Sequence, residues 1–402
     1  MIMKQKITFI LCLLLIGGLR LNAVEVSTFA DFKAAVEAGG DVVVAADLEN
    51  ATLSSITLTK DVNISAKSGR VKMDNVLFSI ESDINFSMKG IIAFCSSEEK
   101  TPSKILVNIP ANVAKVSSLT VEDCEVYDYT ICFLKALGET EIPTISVKNT
   151  VVHDLNTGNP ANAAIMLQKA KVSKATFYNV TFYRCQGGGY YSNDATTPID
   201  FSMEKVSFID CGDADAGFAG SKDIINFAAN ASSKYTLKDC LISGSYTNKA
   251  FSFKSVRLRA TTGKFTITNS LSYKVNVYAL ANPATELYTM PLTATALTVD
   301  YDKKAITTTP ATIKGIGSSY FSLNGAITGI MQENLTSDFY ITDSEVVSKE
   351  ISDITVYAIS GTPVMEQRDV NNLSIASLNK GIYLVKVATK DGKTSIKKFI
   401  KK

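Results

Sequence analysis

The sequence predicts an all-β chain: a right-handed parallel β-helix with a short N-terminal capping helix, followed by a small C-terminal antiparallel β-sandwich. Three observations point there. A phrase of twelve residues is written six times: LTVEDCEVYDYT from Leu119, ISVKNTVVHDLN from Ile145, ATFYNVTFYRCQ from Ala175, FSMEKVSFIDCG from Phe201, YTLKDCLISGSY from Tyr235 and FTITNSLSYKVN from Phe265. Every copy opens with apolar, polar, apolar, polar, and place five then reads Asp123, Asn149, Asn179, Lys205, Asp239, Asn269 at intervals of 26, 30, 26, 34 and 30 residues. From Ile351 onward the chain is made of alternating runs divided by glycine turns.

Alternation of period two marks a strand with one buried face, and Asp or Asn at a fixed offset marks a bend. Place eight is apolar in five copies (Val126, Val152, Phe182, Phe208, Ile242), which makes a second strand. A further apolar pair recurs between copies, as Ile131 and Phe133, Ile165 and Leu167, Ile225 and Phe227, Phe251 and Phe253, which makes a third. Such a unit cannot bury its apolar face alone. Parallel copies stacked along an axis bury a continuous core, with right-handed crossovers. An antiparallel sandwich is the rival, but it does not place Asp or Asn at one offset every 26 to 34 residues.

In chain order, residues 1 to 23 read as a signal peptide: Lys4 and Lys6, an apolar run from Ile7 to Ile16, and Leu21-Asn22-Ala23 as cleavage site. That run is short for a bilayer span, so no transmembrane anchor is expected. Thr28 caps a short helix carrying Phe29, Phe32 and Val36, which Gly39-Gly40 ends. Leading directly into strands, it covers the open end of a solenoid. Short alternating runs fill residues 51 to 118, and FSMKGIIA from Phe86 fits the repeat with Gly90 at place five. The β-helix is therefore assigned to 24–276. Residues 277–345 lose the repeat and read as a β-rich cap or linker, and 346–402 form the terminal β domain.

Composition excludes some partners. The formal charge is +2, but Lys4, Lys6 and Arg20 fall in the leader, leaving 38 basic against 39 acidic residues. With no basic stripe before the extreme C-terminus, nucleic acid is not an expected partner. Six cysteines follow the leader, none in a C-x-x-C pair, and His153 is the sole histidine, so a structural zinc site is not expected. Cys185 and Cys211 share place eleven of consecutive copies, within disulfide reach if the copies stack; buried free thiols are the other reading.

The opening helix followed by these repeats resembles the pectin-lyase-like β-helix families, and more closely the secreted β-helix proteins of Bacteroidetes, over residues 27 to 276. The C-terminal stretch resembles the sorting domain of the type IX secretion system. That resemblance rests on Val356-Tyr357 before Gly361, on Leu378 with Gly381-Ile382-Tyr383-Leu384-Val385, and on the terminal Lys397-Lys398-Phe399-Ile400-Lys401-Lys402. It implies export to the outer surface or medium, with the secretion machinery as a partner. An accessory glycan-binding sandwich is the alternative for this segment.

The first resemblance implies, for an enzyme, carboxylates that hold calcium beside an Arg or Lys base, or paired Asp residues. Place ten offers Asp128, Asp154, Arg184 and Asp210. Stacking sets Arg184 between two carboxylates at roughly 5 Å. Asp154, Arg184 and Asp210 are thus the candidate catalytic residues of a calcium-dependent polysaccharide lyase, or else an ion-pair ladder. Two carboxylates hold an Arg protonated, the wrong direction for a base. The motifs of pectate-lyase-like and polygalacturonase-like enzymes are missing, and the chain has no Trp. His153 shares its column with Tyr127 and Tyr183, which favours stacking. Two loops interrupt the repeat. CQGGGYYSND brings Tyr190, Tyr191, Asn193 and Asp194 together as a candidate glycan site. Asp210, Asp213 and Asp215 suggest a weak calcium loop, without the spacing of an EF-hand. The expected function is a secreted or surface protein that binds polysaccharide or host glycan without catalysis; the lyase and a structural surface-layer role are the alternatives.

Overall fold

The computed structural model describes residues 23–99, 103–155, 162–211, 223–227, 230–243, 255–258, 264–279, 285–288, 290–325, 339–341, 345–358, 361–390 and 394–401. The predicted leader, Phe251, Phe253, Asp213 and Asp215 lie outside these residues, apart from Ala23 at the leader's end. The chain divides into two compact units, 1–331 and 332–402.

The first unit is a parallel β-helix with three faces. Among the described residues sheet A has ten strands, from Val24–Val26 to Lys264–Thr268, all paired in parallel. Sheet B has nine short strands, from Val71–Asp74 to Leu292–Thr293. Sheet C has ten, from Ser54–Leu58 to Thr285–Tyr288, and only its last pairing is antiparallel. Each coil runs A, B, C. The six phrases align in register: Leu119 pairs with Ile145, which pairs with Ala175, then Phe201, Tyr235 and Phe265. Phe86 pairs with Leu119, so the stack begins well before the first clear copy. Places one, three and eight point inward and build one continuous core. Within it Phe182 and Phe208 stack with centroids 5.0 Å apart.

Place five is the bend between sheets A and B. Asp123, Asn149, Asn179, Lys205, Asp239 and Asn269 all take φ between 44° and 55°, and Gly90 takes 70°. Asn and Asp enter this left-handed region at low cost because their side chains hydrogen-bond locally. Here they also bond along the stack: Asn179 donates to Asn149 over 3.0 Å, and Asn269 to Asp239 over 2.6 Å. Lys205 is the misfit. Lys205→Asn is expected to stabilise the helix by about 0.5–1 kcal/mol, read as a raised thermal midpoint, because a Lys strained at φ 55° is replaced by a residue that tolerates it.

The helix Phe29–Ala38 is where the sequence places it. The Thr28 hydroxyl accepts from the Asp31 amide, and Phe32, Ala35 and Val36 are buried against the first coils. Gly39 ends it at φ 81°, and a Cβ there would lie 2.7 Å from that of Lys60. One sequence register needs correction. In the coil after Asp128 the pair aligned with Ile165 and Leu167 is Leu134 and Ala136; Phe133 lies in the same core but out of that register, and Ile131 packs in a separate small cluster with Cys132. The run ICFLKA is apolar at nearly every position, so period two cannot choose its face. Ile225 and Phe227 pair with Val256 and Leu258.

Residues 277–325 are more than a cap or linker. Asn276–Ala279 and Leu292–Thr293 still belong to the stack, on sheets C and B. Ala296–Asp300, Ala305–Thr309 and Ser322–Leu323 then form a small separate sheet. It lies over the outer side of sheet B, where Leu297, Ile306, Ile316, Phe321 and Leu323 share a core with Val151, Tyr183, Ile209, Leu241 and Leu271. Polar bonds pin it. The Ser318 amide donates to Ser207 Oγ over 2.8 Å, its hydroxyl meets that of Thr181, the Ser319 amide donates to Asn179 over 2.7 Å, and the Gly317 amide to the Asp239 carbonyl over 2.7 Å.

The second unit is one curled antiparallel sheet of Phe339–Ile341, Glu345–Ala358, Pro363–Ser374, Gly381–Thr389 and Thr394–Lys401. It closes around Phe339, Val346, Ile354, Val356, Leu373, Ile375, Val385 and Val387. Its first strand precedes the boundary drawn at 346, since Tyr340 pairs with Val347.

Candidate functional site

Parallel strands in register set equivalent side chains about 4.8 Å apart. At place nine, on the outer side of sheet B, this builds a ladder of rings: Phe94 over Tyr127 at 5.2 Å, Tyr127 over His153 at 4.9 Å, and His153 over Tyr183 at 4.5 Å, all within 11° of parallel. The stacking expected for His153 is therefore present. The ladder continues into the overlying segment, where Tyr320 lies 5.9 Å from Tyr183.

Charged groups thread through this ladder. His153 donates from Nδ1 to Asp154 Oδ2 over 2.6 Å and from Nε2 to Glu125 Oε1 over 3.1 Å. Arg184 Nη2 donates to the same Asp154 oxygen over 2.5 Å, and Arg70 stands 3.6 Å from Glu125. The order Arg70, Glu125, His153, Asp154, Arg184 alternates in sign. Arg184 also lies 5.1 Å from the Tyr183 ring and 5.0 Å from that of Tyr301, whose hydroxyl donates to Asp210. Lys304 sits 5.0 Å from the Tyr320 ring.

Burial by itself would lower the His153 pKa, yet the bonds to Asp154 and Glu125 outweigh it and raise the value. Glu125 is lowered, chiefly by its bond to His153. Asp154 is lowered too, since His153 and Arg184 overcome the burial that opposes its charge. Asp128 is raised by burial and by the nearby Asp154. The chain is thus ionised throughout, both His153 nitrogens are occupied, and Arg184 is held protonated. His153 and Arg184 are both shifted toward their charged forms, the wrong direction for a base, whereas Asp128 is shifted toward its neutral form.

A stability profile follows. His153 titrates higher folded than unfolded, so its contribution is complete below the unfolded imidazole value of 6.5 and fades as pH rises through the folded one. Glu125 and Asp154 act in the opposite sense. Their contribution is present above the unfolded carboxylate values and is lost as pH falls through their lowered folded values. The first unit is expected to lose stability as pH rises above the unfolded imidazole value, and His153→Gln to flatten that slope in denaturant titrations run at stepped pH.

The residues expected to act at place ten take a different role. Asp128, Asp154, Arg184 and Asp210 adopt φ of 51° to 59°, as do Asn75 and Lys274 in the same column, so place ten is a second left-handed bend. Asp there is first a bend former. Asp154 and Arg184 are brought together, while Asp210 receives the Tyr301 hydroxyl. Asp154 and Asp210 do not fit a calcium site: one oxygen of Asp154 already faces two cationic groups, and Asp210 is engaged by a phenol. Among the described residues no cluster of three His, Cys, Asp or Glu side chains is placed to hold a metal.

The glycan loop also separates. Tyr190 is 1% exposed and lies in the core among Phe177, Phe201 and Phe227, so it cannot meet a sugar at the surface. Tyr191 faces outward from sheet C, half-buried beside Met166. Asn193 accepts from the Lys169 amide over 2.7 Å, and Asp194 accepts from Thr196 and Thr197 in its own turn. Cys185, Cys211 and the other four cysteines among the described residues are buried free thiols. Glu125, Arg70, Tyr301 and Lys304 were not legible as site residues, because they come from place seven, an earlier coil and the non-repeating segment.

Residues 335–402 match the family described as the secretion system C-terminal sorting domain. Neither curated proteins nor solved structures give a match to the chain. Among the described residues no helix is long and apolar enough to cross a membrane. The fold and this domain define a β-helix protein that is secreted or held at the cell surface, delivered by the type IX secretion system.

Proposed function

We propose that the protein binds glycan or adheres at the cell surface without catalysis. The observation that supports this most is the state of the place-ten groups: Asp154 and Arg184 are paired in an ionised chain, and Asp210 is tied to Tyr301. A lyase needs a cation-binding carboxylate and an unprotonated base from that set, and these neighbours oppose both. Of the interrupting loop, Tyr191 is the aromatic side chain that reaches the surface.

The test is a panel of pectate, alginate, glycosaminoglycans, neutral glycans and host matrix proteins, offered to the full chain with and without calcium. Saturable binding with intact polymer is the expected result. Lack of binding to every member would end the reading, and release of unsaturated sugars would replace it with a lyase built on Asp154, Arg184 and Asp210.

A further inference from the structure

The outer side of sheet A carries a feature that sheet B lacks. At place two, seven consecutive coils present a hydroxyl: Ser87, Thr120, Ser146, Thr176, Ser202, Thr236 and Thr266, paired in unbroken register. All are half-buried or exposed, and the row extends roughly 29 Å at the strand spacing of a sheet. Beside it, at place four, Tyr178 is 40% exposed, a large ring left open on an otherwise polar face. Lys148 precedes it and Glu204 follows it in the column.

The charges on this face are uneven along the axis. From Thr144 onward the exposed lysines flanking the hydroxyl row are Lys148, Lys174, Lys234 and Lys238, against Asp200 and Glu204. Lys238 and Glu204 pair at 2.8 Å. Among the described residues Lys148, Lys174 and Lys234 hold no ion pair; in the columns Lys148 follows Glu122, which Lys89 already pairs at 3.1 Å, and Lys174 and Lys234 flank Asp200. Toward the first coils the same face carries Asp41 and Asp61, with Lys89 paired to Glu122, so the strand lysines without an ion pair lie in the later ones.

We propose that the outer side of sheet A, from Ser146 to Thr236, is a binding track for a linear acidic polysaccharide lying along the helix axis. The proposal rests on the glycan reading above and names its site and ligand class. Hydroxyls at a constant spacing serve a polymer whose own groups repeat, since each coil offers it the same donor and acceptor. Tyr178 supplies a ring face for one sugar, and the three unpaired lysines supply charge complementarity to uronate or sulfate. Net excess is small, so specificity has to come from the ring and hydroxyls together with the charge.

The experiment uses the full chain with polygalacturonate, alginate and heparin as acidic probes, dextran as neutral probe and single-stranded DNA as a non-glycan polyanion. Tyr178→Ala and the triple variant Lys148→Gln/Lys174→Gln/Lys234→Gln change exposed side chains, and thermal midpoints verify folding. Expected are binding of at least one acidic polysaccharide, a loss of about fivefold or more for Tyr178→Ala and tenfold or more for the triple variant, and a shallower salt dependence in the latter. If glycan binding survives both sheet A variants but falls with Tyr191→Ala, the track is wrong and the glycan reading stands. Equal binding of single-stranded DNA would also overturn the track, and no glycan binding by the unaltered chain would overturn both.

Discussion

Replacing His153 with alanine is expected to cost the first unit about 2–4 kcal/mol, a little under the roughly 3–5 kcal/mol for removing one member of a fully buried ion pair, because Glu125 and Asp154 are partly exposed. The imidazolium is 8% exposed and bridges Glu125 and Asp154. Without it two carboxylates face one another across a vacated ring position, and Tyr127 and Tyr183 lose the ring between them. Unfolding by denaturant measures the loss. The double variant His153→Ala/Glu125→Gln should recover part of it, since one stranded charge is gone. A loss under 0.5 kcal/mol, the ordinary range for surface substitutions, would show that solvent already carries these charges.

Phe321→Ala is the second large effect, about 3–4 kcal/mol. Its ring is buried and meets Tyr183, Tyr301 and Tyr320 edge-on at 5.6, 5.9 and 5.2 Å. Beyond the cavity, the change loosens the segment that seals Val151, Ile209 and Leu241 from water. Amide exchange should rise in residues 296–323 and along the middle strands of sheet B, while sheet A stays protected. Uniform exchange across all three sheets would mean that the segment and the stack unfold as one.

Much of the fold can be read from four columns. Place five announces its bend because Asn and Asp dominate it, and places one, three and eight announce the core. Place ten is harder to read, since Asp serves both left-handed bends and acid chemistry, and a column of Asp128, Asp154, Arg184 and Asp210 invites the second reading. His153 stacking was legible because its column neighbours are tyrosines. Its carboxylate partner Glu125 was not, because place seven mixes Glu, Val, Thr, Ser and Leu, with no pattern to mark one member. The segment over sheet B has no repeat, so nothing local tells which face it covers.

The place-two hydroxyls, by contrast, are written in all six phrases. What the sequence leaves open is whether they face solvent or another layer, and that depends on residues 290–325 choosing sheet B. Among the described residues the segment covers the middle coils of sheet B, and the outer side of sheet A keeps its polar residues half-buried or exposed.

Lysine footprinting tests that assignment most directly. The full chain is acetylated with and without the acidic polysaccharide that binds it best, and modification is read lysine by lysine. Protection of Lys148, Lys174 and Lys234, with Lys72 and Lys303 unchanged, is the predicted result. Protection of Lys72 and Lys304 on the sheet B side, with the sheet A lysines still reactive, would contradict it.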